Sequence, residues 1–92
     1  MREPLARRQA RRRILEILAT GTVSFSGHAL DELRKDRATA VDATNVLRSG
    51  VVGPGRLRDG TWRYPVRTTR MTVVVAFRSE TRLVVVTAWR NR

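Results

Sequence analysis

The stretch from Met71 to Arg90, MTVVVAFRSETRLVVVTAWR, decides the fold of this chain. It holds two nearly continuous β-branched runs, Met71–Arg78 and Leu83–Arg90, around a short turn at Ser79-Glu80-Thr81. Runs of this kind read as strands. Joined by so short a link, they must lie antiparallel. Side chains alternate along a strand, so each run has two faces. Met71, Val73, Val75 and Phe77 share one face with Leu83, Val85, Thr87 and Trp89. Thr72, Val74, Ala76 and Arg78 share the other with Arg82, Val84, Val86, Ala88 and Arg90. The bulky face is expected to be the core. The second has small residues in the middle and arginines at the strand ends, which reads as a shallow basic trough.

Working outward, Asp59-Gly60 is a hairpin signal between Arg56–Arg58 and Thr61–Arg67. Parity adds Trp62, Tyr64 and Val66 to the bulky face, and Arg63 and Arg67 to the trough. Pro65 marks an edge or a bulge, and a bulge flips part of this assignment. Val51 and Val52 read as a short strand before the Gly53-Pro54-Gly55 break.

Before Gly50 the period becomes helical. Ala6, Ala10, Ile14, Ile17 and Leu18 form a stripe in a helix from about Pro4, a first-turn residue, to Thr20, with Gly21 as its stop. Ser26 is a cap for a helix from Gly27 to Asp36, and Thr39 with Asp42 has capping-box spacing for a third helix to Arg48. The fold class is therefore α+β in one domain, 1–92. A helix occupies 1–20, two helices 24–50, and a four-stranded antiparallel sheet 51–91.

Charge dominates the composition. The 92 residues carry 19 Lys+Arg against 8 Asp+Glu, a net +11, and Lys35 is the only lysine. Residues 1–20 hold six bases and two acids, 21–50 four of each, and 51–92 nine bases and two acids. The excess thus sits on the opening helix and the sheet half. A field of one sign attracts polyanions, and arginine's planar fork suits phosphate. An acidic protein is the alternative partner for such a surface, and arginine-rich coding is a neutral source of the choice of arginine over lysine.

Other classes fall away. Without cysteine there is no disulfide framework or thiolate metal site. No apolar run spans a bilayer. The arginines of the first helix interrupt any secretory leader, and Glu3 and Glu16 argue against a transit peptide, so a cytoplasmic location is expected. Glu32 and Asp36 share a helical face, but as solvated carboxylates rather than a metal site. No phosphate-binding glycine loop, nucleophile elbow or histidine cluster occurs. No metal and no cofactor is expected.

Several residues then form a familiar order. Phe25-Ser26-Gly27-His28-Ala29-Leu30, the following Arg34 and Arg37, Trp62-Arg63-Tyr64 and Val86-Thr87-Ala88-Trp89-Arg90 resemble small bacterial toxins of the RelE/MqsR-like superfamily. The likeness is to its branch with a Ser-x-His-Ala entry and a Thr-x-x-Arg exit, and it covers about residues 22–91. It implies a RelE-like fold and a metal-independent endoribonuclease. Such an enzyme cuts single-stranded messenger RNA, in some members on the ribosome, and is neutralised by a cognate antitoxin protein. The Lys-and-Gln set of one branch has no counterpart here.

Metal-free RNA cleavage needs a base for the 2′-hydroxyl, an acid for the leaving oxygen, and cations on the phosphoryl group. His28 is the only histidine, the side chain that ordinarily titrates near neutrality. The candidate catalytic set is His28, Tyr64, Arg78 and Thr87. The candidate RNA-binding set is Arg34, Arg37, Arg63, Arg67 and Arg90. Each has a plainer reading beside it: His28 as a first-turn residue, Tyr64 as packing, Thr87 as a β-former, each arginine as solvated surface. Trp62 and Trp89 are candidates for base stacking, with core packing expected for both. A non-catalytic RNA-, ribosome- or acidic-protein-binding module is the alternative function.

Overall fold

A computed structural model describes residues 1–92. Three helices, α1 (Arg7–Thr20), α2 (Gly27–Lys35) and α3 (Ala40–Ser49), cover one face of a mixed sheet. Its strands are β1 (Thr22–Phe25), β2 (Val51–Val52), β3 (Arg56–Arg58), β4 (Thr61–Arg67), β5 (Met71–Ser79) and β6 (Arg82–Arg90). The order across the sheet is β1-β6-β5-β4-β2, with β3 pairing β4 beside β2.

The α+β class is as expected, but the sheet has six strands rather than four and is not wholly antiparallel. The added strand β1 lies parallel to β6, with Val23 opposite Leu83 and Phe25 opposite Val85. Val23 and Phe25 are half-buried against the core, while Ser24 between them is exposed. Four residues are too few for their period to have stood out from the helices around them.

Local signals explain the other elements. Ser26 Oγ accepts from the Ala29 N–H at 3.0 Å and starts α2. Thr39 and Asp42 cap α3 reciprocally: Thr39 Oγ1 accepts from the Asp42 N–H at 3.2 Å, and Asp42 Oδ2 accepts from the Thr39 N–H at 2.8 Å. Asp59 and Gly60 have φ of 52° and 77°, as a tight hairpin turn requires. Helix α1 starts at Arg7, so Pro4 lies ahead of it rather than in its first turn. Residues 3–5 are held on Tyr64 instead: its hydroxyl donates to Glu3 Oε2 at 2.7 Å and accepts from the Leu5 N–H at 2.9 Å.

The capping box carries a pH dependence. The Thr39 backbone N–H, helped by its hydroxyl, holds the Asp42 carboxyl below the usual carboxylate range. A lowered folded value means stability that is complete above the ordinary aspartate range and lost as pH falls through the folded value. The acid-side fall in thermal midpoint is therefore expected to be shallower in Asp42→Asn than in the parent.

The core gathers Ala10, Ile14 and Ile17 of α1, Leu33 of α2 and Leu47 of α3 over Tyr64, Val66, Val73, Val75, Leu83 and Val85. The Tyr64 and Phe77 rings pack at 5.2 Å, tilted by 59°. One departure from the expected parity matters for function. Val74 pairs with Thr87 but Val75 with Val85, so Val86 is the extra residue of a bulge. Its carbonyl accepts from Ser26 Oγ at 3.0 Å. Beyond the bulge β6 is turned over. Ala88 enters the core, while Thr87 and Trp89, expected there, stand on the open face. None of the helices is long and apolar enough to cross a membrane.

Candidate nucleic-acid interface

The face of the sheet away from the helices is a cleft. Strand β4 pairs with β5 only from Tyr64 to Arg67, and its first half pairs instead with β3. The β3–β4 hairpin is thus free of β5, and its arginines face the main sheet across a gap. Pro65, which has no N–H, falls where neither β2 nor β3 pairs with β4.

Arg56, Arg58 and Arg63 line one side of this cleft, which measures about 260 Å³. Pro65, Arg67, Val74, Thr87 and Trp89 line the rest. The pairing places Pro65, Val74 and Thr87 in one row across β4, β5 and β6, and Arg67, Thr72 and Trp89 in the next. A second depression of about 500 Å³ shares Arg67 and Trp89 and continues to Arg90, Asn91 and Arg92. No acidic side chain lines either one. Trp89 is 38% exposed.

Five arginines are tied to acceptors within the protein, Arg11, Arg13, Arg34, Arg48 and Arg90, and those of the cleft are not among them. The ion pairs are Arg13–Glu80, Arg34–Asp31 and Lys35–Glu32. Arg11 donates to the Gly50 carbonyl at 2.6 Å, and Arg90 Nε to the Asp36 carbonyl at 2.7 Å. Arg56, Arg58, Arg63 and Arg67 have no such acceptor. Arg63 Nε is also shielded from solvent without a partner. An unsatisfied buried donor costs about 1–3 kcal/mol. Arg13 Nε is in the same position, but the other nitrogens of Arg13 are held by Glu80.

The expected site residues are not all together. Arg63, Arg67 and Thr87 share the cleft, and Arg90 lines the depression next to it while tying β6 to the end of α2. His28 is exposed on the first turn of α2, lines no part of the cleft and bonds to none of the other candidates. Arg34 is paired with Asp31 on the outer side of α2, and Arg37 is exposed just beyond that helix. Arg78 is exposed near the end of β5, outside the cleft.

Tyr64 faces the core, not the trough. It is fully buried, and the sheet lies between its ring and the arginines that flank it in sequence. Burial pushes its hydroxyl up to about 12, with the Leu5 N–H opposing and the Glu3 carboxylate adding to the rise. A raised folded value gives stability that is complete below about pH 10 and lost as pH climbs toward 12. Tyr64→Phe is expected to abolish this alkaline loss. At neutral pH it should lower stability by about 1 kcal/mol through the lost hydrogen bonds, a comparison made by denaturant titration at both pH values.

Sequence reasoning missed Arg56, Arg58 and Arg92, and placed Trp89 on the wrong face. For the first two the signal was present. A two-residue Asp-Gly turn puts Arg58 opposite Thr61 and Arg56 opposite Arg63, which is the pairing found. Compared with known proteins, the chain matches no family model, no curated protein and no solved structure.

Proposed function

We propose that this protein binds single-stranded RNA on the open face of its sheet. One observation carries the reading: Trp89 and four arginines without protein acceptors line a single cleft that contains no carboxylate. Guanidinium groups neutralise phosphates, and an exposed indole stacks on a base. Stacking requires a base that is not already paired, which favours a single strand. The choice of RNA rests on the resemblance to RNA-cleaving toxins, and so does a RelE-like reading of the fold.

The second reading is the metal-independent endoribonuclease of a toxin–antitoxin pair. Its support in the geometry is that Thr87 lies among Arg63 and Arg67, which would stabilise phosphoryl charge. The groups expected to move protons, His28 and Tyr64, lie outside that cleft, so binding is the better-supported function.

The test is a labelled single-stranded RNA in EDTA, followed by anisotropy and on a gel. Binding without cleavage is the expected result. Cleavage that persists in His28→Ala but is lost in Arg63→Gln would favour the second reading. Neither binding nor cleavage would reject both.

A further inference from the structure

We propose that Arg56 and Arg63 together seat one phosphate group of the bound strand and fix its register against Trp89. The inference rests on the open-face reading and adds a discrete anchor to it. Arg56 and Arg63 are direct partners across β3 and β4. Like charges placed opposite one another repel, and nothing in the hairpin relieves them. Its one acid, Asp59, is exposed at the apex of the turn and forms no ion pair. Arg63 Nε is shielded and unpartnered. Two facing guanidinium forks without an acceptor match a tetrahedral anion, whose oxygens take hydrogen bonds from both.

The sheet also sets the spacing between this seat and the indole. Arg67, Thr72 and Trp89 form one row, and Arg63 stands four residues from Arg67 along β4. Strands lie about 4.8 Å apart and rise about 3.3 Å per residue, so the backbones of seat and indole are at most roughly 16 Å apart. At a stacked spacing of about 3.4 Å this spans about five nucleotides. The site therefore takes a short strand with a phosphate at one end of the cleft and a stacked base at the other.

The experiment uses the full chain and a single-stranded RNA oligomer of that length, too short to slide. Each phosphate in turn is replaced by an uncharged methylphosphonate. One linkage is expected to lower affinity by about tenfold or more, and the others by about threefold or less. In Arg63→Gln the special linkage should fall to the level of the others, whereas in Arg12→Gln, altered on α1, it should keep its effect. Arg56→Gln, an exposed substitution, gives the same comparison if Arg63→Gln does not fold. Binding with equal losses at every linkage would overturn the phosphate seat and leave the open-face reading standing. No binding at all would overturn both.

Discussion

Replacing Trp89 by alanine is expected to lower affinity for single-stranded RNA by about 5- to 150-fold, since stacking on one aromatic contributes roughly 1–3 kcal/mol. The fold should tolerate the change. Trp89 stands on the open face, 38% exposed, and the core position beyond the bulge belongs to Ala88. Trp89→Phe keeps a π face and should retain most of the affinity. Trp62 is the contrast: it is half-buried, packs against the core and is absent from the cleft. In a Trp62→Phe background the remaining indole reports binding directly, through quenching of its fluorescence. Unchanged affinity in Trp89→Ala would remove the stacking platform from the account.

Salt should act about as strongly. A protein that neutralises phosphates releases counterions, and on a single strand log affinity falls by about 0.7 per phosphate for each decade of salt. If Arg56 with Arg63 neutralise one phosphate and Arg58 and Arg67 one each, the slope is about −2.1 and a tenfold rise in salt weakens binding about a hundredfold. Removing one of these cations, as in Arg67→Gln, should make the slope shallower by about 0.7. Arg12→Gln, which removes the same charge from α1, should leave the slope unchanged. Equal effects from both substitutions would mean that net charge, and not the cleft, drives the interaction.

The legible parts of the fold were those set by local chemistry. Ser26, Thr39 with Asp42, and Asp59-Gly60 act within three or four residues of themselves, and each does what its type and spacing imply. The strands β5 and β6 follow from their β-branched runs. What escaped was set by contacts between distant residues. At the bulge the hydroxyl of Ser26, sixty residues away, donates to the Val86 carbonyl. Nothing in the valine run itself marks the residue at which alternation fails, so strict parity puts Thr87 and Trp89 on the wrong side.

The same limit governed the site. Arg63 and Arg67 were placed in the trough by parity alone, which holds within β4. Tyr64 lies on the bulky face as parity implies, yet its hydroxyl is not free for catalysis. Glu3 and the Leu5 N–H, from the segment ahead of α1, occupy it. The ordering of that segment has no sequence signature. His28 was grouped with the arginines through the resemblance, and the resemblance says nothing about which face of the sheet a helix start adjoins.

The most direct test is a map of backbone and indole chemical shifts as single-stranded RNA is added to the 92-residue chain. The largest changes are expected on residues 56–67, on Thr87 and on the Trp89 indole, with α1 and α3 nearly still. Changes concentrated on the arginines of α1, with the Trp89 indole unmoved, would contradict binding on the open face.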